Sequence, residues 1–282
     1  ALMEITSIYE NLIFTTVRIE CLTKTNSSSI GTGCIVSYHR EEGDYYFIVT
    51  NKHVIKDAVK GILQFNLSKN DQPDLGRKYS LIFNDFEKIW FGHNNPNIDI
   101  AIAPIVPFLN KLKKENINIF FKAIPLIYAL KQENIKEVDA IEDILIIGYP
   151  NGIYDKKNLL PIVRKGITAT PANIDFEGKP IFLIDASIFP GSSGSPVFIC
   201  NTGGTSKQGF DKQSKTRFIF MGIVASVLIK QDINKIEIIN IPVKDIPFVK
   251  TSQMLDLGIV FKSHCIIETI ESFLKTRQSI TK

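Results

Sequence analysis

The stretch IFPGSSGSPVF, residues 188–198, sets three serines and two glycines between a proline-broken turn and an apolar run that reads as a strand. Clusters of glycine and serine are usually loops, so the meaning of this one depends on its surroundings. Outward from it in both directions run short β-branched and aromatic segments punctuated by turn residues: GCIVSY, DYYFIVTN, ILQFNL, YSLIF, DIAIAPI, DILIIGY, PIFLID, SPVFIC and RFIFMGIVASVLI. Many short strands at close spacing predict an all-β barrel or sandwich. EEGD, residues 41–44, marks a hairpin, because glycine supplies the positive φ of a tight turn.

Helical signals are few. Residues 107–115 read as a short surface helix, and Ile266, Ile267, Ile270, Phe273 and Leu274 recur at a helical period near the end, with Ser263 placed to cap it. The polar, glycine-rich segment 201–216 reads as a surface hairpin. The lysine-rich segment 110–138 reads as a connection between a β unit ending near Pro107 and another beginning near Asp143.

Composition is that of a folded globular chain: 44% hydrophobic and 22% charged residues over 282 positions, enough to bury a real core. A net charge of +4, from 33 basic and 29 acidic residues, is too small and too mixed to mark a nucleic-acid or membrane surface. No apolar run approaches a membrane span. No basic-then-apolar block opens the chain, so no signal peptide is read there. Cys21, Cys34, Cys200 and Cys265 show neither paired nor metal-ligand spacing and read as buried thiols. A cytoplasmic location is expected, with a secreted protein whose signal was removed as the alternative. No metal site and no cofactor are expected.

Acyl transfer through serine needs a base within reach of the hydroxyl, a carboxylate orienting that base, and backbone donors for the oxyanion. One candidate exists for each side chain. His53 lies in FIVTNKHVIKDA, directly after an apolar strand; Asp99 lies in NIDIAIAPI, at the mouth of another; Ser193 lies in PGSSGSPVF. Each alone reads as structural: a packed or surface histidine, a turn aspartate, a loop serine. Together, in the order His, Asp, Ser and each at a strand end, they read as a triad, in a chain order distinct from that of α/β-hydrolases. His39, His93 and His264 lack such partners, although His93 sits close enough to Asp99 in sequence to be a rival base.

VTNKHV, NIDIAI and PGSSGSP together resemble the catalytic segments of the chymotrypsin-like (trypsin-fold) serine proteases. GTGCIVS before the histidine strand, IGYPNG and VRKGITATP before the serine loop, and DASIFPGSSGSPVF are similar to the bacterial HtrA-like, trypsin-like peptidase branch, without a PDZ domain in these residues. The resemblance implies two six-stranded antiparallel β-barrels with a C-terminal helix: residues 1–109 the first barrel, 110–138 the connection, 139–250 the second barrel and 251–282 a C-terminal strand and helix segment. It implies a serine endopeptidase acting on a polypeptide substrate from the cleft between barrels, with a regulatory protein partner as a further expectation.

The family's oxyanion hole uses the N–H of the nucleophile and the N–H two residues earlier, which here means Ser193 and Gly191. Glycine at 191 tolerates the unusual backbone this requires. Ser192 as nucleophile would place the second donor on Pro190, which has no N–H, and Ser195 would be followed at once by Pro196. Relatives activated by cleavage carry an aspartate where Ser192 stands, to pair with a new N-terminus. The missing carboxylate implies that residues 1–16 are not a propeptide of that type. By the same motif alignment Ser187 lies at the floor of the primary pocket, with Ala225, Ser226 and Val227 on its wall. With no acid on that floor, and Val227 narrowing it, a small or medium apolar P1 residue is expected, with Asp232 able to change this. Two rival readings are a degenerate protease fold kept as a binding module and a serine hydrolase acting on non-peptide esters; the second would need a base downstream, where only His264 stands, and an alternating β and α texture that is missing.

Overall fold

The computed structural model describes residues 3–25, 27–131, 133–201, 217–235 and 248–280. The first half is a nine-stranded sheet made of β1 (Thr16–Thr23), β2 (Ser28–Arg40), β3 (Gly43–Thr50), β4 (Ala58–Lys69), β5 (Gln72–Asn84), β6 (Phe91–Gly92), β7 (Ala101–Pro104), β8 (Ile119–Phe120) and β9 (Ile124–Pro125). The order is β5-β4-β1-β2-β3-β7-β6, with β8 on β4 and β9 running parallel to β2. Six of these strands are substantial; β6, β8 and β9 are two residues each. The second half is a closed barrel of β10 (Asp143–Gly148), β11 (Ile162–Thr168), β12 (Ile181–Asp185), β13 (Pro196–Asn201), β14 (Arg217–Lys235) and β15 (Phe248–Lys262), in the order β10-β11-β12-β15-β14-β13. The helices are α1 (Ile8–Ile13), α2 (Lys52–Ile55), α3 (Val106–Lys114) and α4 (His264–Ile280). The fold is thus mostly β, a six-stranded barrel joined to a second sheet, closed by one long C-terminal helix.

Strand alternation explains why so many of these segments are apolar throughout. Successive side chains point to opposite faces. Ile35 of β2 and Ile48 of β3 enter the core of the first sheet with Val17, Ile19, Leu63 and Phe86, whereas Val36 and Phe47 face the other way. In the barrel, Val197, Ile199 and Met221 point inward with Phe182 and Val260, whereas Phe198 and Phe220 point out. The outward-facing sets meet: Val36, Phe47, Phe198, Phe220 and Ile270 of α4 share one buried cluster. Both faces of the central strands are therefore dry, and the two halves are joined by a core of their own.

The helix α4 follows the last barrel strand and is strapped across the first sheet. Glu271 accepts hydrogen bonds from Tyr38 and Arg40, Asn94 Nδ2 donates to Ser272 Oγ at 2.8 Å, and Phe273 stands edge-on to Phe47 and Phe91 with ring centroids 5.6 Å away in each case. Ser263 stands at the N-cap of this helix, its carbonyl accepting the Ile266 and Ile267 N–H groups at 3.1 and 3.4 Å, while its hydroxyl accepts the Leu130 N–H at 2.8 Å.

Two expected boundaries move. The second barrel runs past 250 to Lys262, because β15 pairs with both β12 and β14 and is needed for closure. The connection 110–138 contributes β8 and β9 to the first sheet. The hairpin at 41–44 forms as read, with Arg40 paired to Gly43 and φ of Gly43 at +136°, and the helix expected at 107–115 spans Val106–Lys114. Most of the segment 201–216 lies outside the described residues. All four cysteines are buried free thiols; burial pushes Cys21 and Cys265 up to about 12, which leaves them without thiolate character. No helix among the described residues is long and apolar enough to cross a membrane.

Phe273→Ala removes the aromatic contact between α4 and the first sheet. A loss of about 3 kcal/mol of unfolding free energy is expected, read as a lowered urea midpoint; an unchanged midpoint would mean that α4 does not brace the first sheet.

Candidate active site

The register of β3 against β7, Thr50 opposite Ala101, puts the residues just after β3 and just before β7 at the same end of adjacent strands. His53 lies on α2, which begins two residues after the end of β3, and Asp99 lies two residues before β7. Two hydrogen bonds fix them to each other, and a third ties Asp99 to Asn51. The His53 Nδ1 and Asp99 Oδ2 atoms are 2.5 Å apart, the His53 backbone N–H donates to Asp99 Oδ1 at 3.1 Å, and Asn51 Nδ2 donates to the Asp99 carbonyl at 2.7 Å. Ser193 comes from the other half, in the loop between β12 and β13, and its Oγ lies 3.0 Å from His53 Nε2. The same hydroxyl is 3.0 Å from the Ala225 carbonyl, so its one proton has two acceptors in reach.

Partial burial pushes the Asp99 carboxyl up, but the hydrogen bonds and positive charge of His53, with the backbone N–H groups of His53 and Lys52, outweigh it and hold the acid below the ordinary aspartate range. An ionised Asp99 fixes the imidazole with Nδ1 as donor and leaves Nε2 free to accept from Ser193. Such a chain can take a proton from the hydroxyl and stabilise the imidazolium that results.

The loop carrying Ser193 is shaped by its glycines. Gly191 and Gly194 have φ of +88° and +86°, a region that suits glycine. A side chain at Gly194 would place Cβ 1.8 Å from the Thr32 carbonyl oxygen, so only glycine lets the loop approach β2 this closely. Within the loop, Ser192 N–H donates to Phe189 O at 3.0 Å, Ser195 N–H to Ser192 O at 2.9 Å and Gly194 N–H to Val224 O at 2.7 Å. Among the described residues the Gly191 and Ser193 N–H groups have no acceptor. The other two serines point elsewhere: Ser192 is buried and its Oγ accepts the Phe189 N–H at 3.4 Å, and Ser195 is fully buried with no partner for Oγ among the described residues.

Of the expected pocket residues, Ser187 is exposed, Ala225 is buried beside Ser193, and Ser226 is exposed. The β14 backbone pairs with β13 only as far as Ile223 and with β15 on the other side, so among the described residues no strand pairs with 225–227 on the side of the Ser193 loop, where the Ala225 carbonyl meets the Ser193 hydroxyl. The side chains of Val227 and Asp232 lie outside the described residues. Arg164 was not foreseen: its guanidinium donates to the Ser187 carbonyl and lies 4.6 Å from the centroid of the Phe189 ring. Its one signal was the alternation of VRKGIT along β11. His93, the rival base, is turned away from Ser193. Its ring Nε2 meets Glu268 at 3.2 Å, its Nδ1 accepts the Asn95 N–H, and its carbonyl accepts Lys52 Nζ at 2.7 Å. Among the described residues no group of three or more His, Cys, Asp or Glu converges as a metal site.

Residues 31–204 match the family model for the trypsin-like peptidase domain. The chain belongs to that family. Among solved structures it is similar to Rv3671c of M. tuberculosis H37Rv in the inactive Ser343Ala form, at 14% identity over 94% of this chain and 88% of that one, TM-score 0.44. It is similar also to the thermostable serine protease AL20 from an extremophilic microorganism, at 12% identity over 92% and 97% of the two chains, TM-score 0.45. The HtrA-type protease AlgW with a tripeptide aligns at 18% identity over 76% of this chain and 60% of that one, TM-score 0.39. No curated protein matches the chain.

Because Asp99 is held below its ordinary range, the stability it contributes is present above that range and is lost as pH falls through its native value. The urea midpoint of Asp99→Asn should lie below that of the wild type at pH 7, and the gap should narrow as pH falls below the ordinary aspartate range; a gap that stays constant or widens in acid would contradict the depressed carboxyl.

Proposed function

We propose that this chain is a serine endopeptidase in which His53, Asp99 and Ser193 form the catalytic triad. The observation that carries the reading is the run of contacts from Asp99 Oδ2 through His53 to Ser193 Oγ, at 2.5 and 3.0 Å, across the junction of sheet and barrel. His53 takes the Ser193 proton as Oγ attacks a peptide carbonyl. Gly191 and Ser193 N–H groups receive the oxyanion, each such donor being worth roughly two to three orders of magnitude in rate. The imidazolium then protonates the leaving amine, and water activated by the same base releases the acyl group from Ser193.

A polypeptide substrate is favoured over a small ester by the edge of β14 at residues 225–227, which no strand pairs on the side of the Ser193 loop among the described residues and where an extended chain can add as a strand beside Ser193. A basic P1 residue is disfavoured, since the group at the Ser187 carbonyl is the Arg164 guanidinium rather than an acid. Comparison of new N-termini produced in a cell lysate by the wild type and by Ser193→Ala tests this directly. Cleavage sites seen only with the wild type, and poor in Lys or Arg at P1, are expected; identical N-terminal profiles would overturn the endopeptidase reading.

Activity does not depend on insertion of a freshly cut N-terminus. Ser192 offers no carboxylate for one and spends its hydroxyl on the Phe189 N–H, while the N-terminal segment is occupied by α1, whose Ser7 and Glu10 cap each other and whose Leu12 is buried. Removal of residues 1–3 should leave the fluorophosphonate labelling rate within about two-fold of the uncut chain; a latent form awakened by trimming to a defined new N-terminus would contradict it.

A further inference from the structure

In a trans peptide a carbonyl and the following N–H point in opposite directions, so holding one aims the other. Each of the four consecutive carbonyls from Pro190 to Ser193 is held. Pro190 O accepts the Asn151 N–H at 2.5 Å, which turns the Gly191 N–H the other way. Gly191 O accepts Thr32 Oγ1 at 3.0 Å. Ser192 O accepts the Ser195 N–H at 2.9 Å, which turns the Ser193 N–H away from it, and Ser193 O accepts the Thr32 N–H at 2.9 Å. Thr32, on β2 of the opposite half, therefore holds two of the four.

Its hydroxyl does more than close one bond. Thr32 Oγ1 also accepts the Tyr149 N–H at 3.1 Å. An amide N–H can only donate and a carbonyl can only accept, so the direction of the relay is fixed: Tyr149 N–H to Oγ1, and the hydroxyl proton to Gly191 O. Tyr149 opens the turn that brings the Asn151 N–H to Pro190, and the Tyr149 carbonyl backs Gly191 so closely that a Cβ there would lie 2.6 Å from it. Thr32 is fully buried, so water is poorly placed to replace its hydroxyl. One side chain thus couples the turn at residues 149–152 to the loop that aims the two free amides.

We infer that Thr32 is a positioning residue for the oxyanion hole: its hydroxyl holds the Gly191–Ser192 peptide, which lies between the two peptides that carry the Gly191 and Ser193 N–H groups, and ties it to the Tyr149 turn whose Asn151 N–H aims the Gly191 amide, without touching substrate. The inference rests on the reading of Ser193 as nucleophile.

Fluorophosphonate inactivation separates the two, with the maximal rate and the half-saturating probe concentration measured for wild type, Thr32→Val and Thr32→Ser. Thr32→Val should lower the maximal rate about 10- to 100-fold with the half-saturating concentration within about three-fold, and Thr32→Ser, which keeps the hydroxyl, should stay within about five-fold of wild type. Thr32→Ala, which crowds nothing, takes the place of Thr32→Val if that variant does not fold. An unreactive wild type would sink the nucleophile assignment itself. A reactive wild type with an equally fast Thr32→Val, or a Thr32→Ser as slow as Thr32→Val, would overturn the role of the hydroxyl while leaving the nucleophile standing.

Discussion

Sheet and barrel meet backbone to backbone at Thr32 and the Ser193–Gly194 peptide. The Thr32 N–H to Ser193 carbonyl bond of 2.9 Å is possible only because position 194 has no side chain to strike the Thr32 carbonyl. The hydroxyl of Thr50, at the end of β3, donates to that same Thr32 carbonyl at 2.8 Å. The strand that delivers His53 and the loop that delivers Ser193 are thus referenced to one residue of β2. A His53 to Ser193 distance set between two halves of a molecule would otherwise vary with every small slide of one half on the other.

The buried cluster shared by Phe47, Phe198, Phe220 and α4 supplies the bulk of that joint. Its strength is non-directional, as burial of apolar surface is. Direction comes from the few polar contacts at its edge: the Asp99 and His53 pair on one side, the Thr32 contacts on the other. This division also accounts for the glycines at 191 and 194, whose positive φ places backbone where side chains would interfere.

Much of this was legible in the sequence because it depends on local patterns. Alternation and turn residues gave the strands, and the strand end before His53, the strand start after Asp99 and the glycines around Ser193 carried their own chemical signature. What escaped were relations set by pairing at long range. Thr32 reads as one more small residue in GTGCIVS until β2 is laid against the serine loop. Arg164 reads as a surface cation of β11 until the loop at 187–189 folds over it. The extent of the second barrel was missed because closure depends on β15 finding β12, about seventy residues earlier in the chain, and no local feature near residue 250 marks it. Ser263 reads as the cap of α4 and stands there, but its hydroxyl goes to the Leu130 N–H, brought in by the connection between halves, which no local pattern shows.

The central claim is that one serine of three is chemically distinct because His53 reaches it alone. Mapping the adduct by tandem mass spectrometry after treatment with a small fluorophosphonate tests that claim most directly. The account predicts a single phosphonylated residue, Ser193, with Ser192 and Ser195 unmodified; an adduct on either neighbour, or none in the peptide spanning residues 188–198, would contradict it.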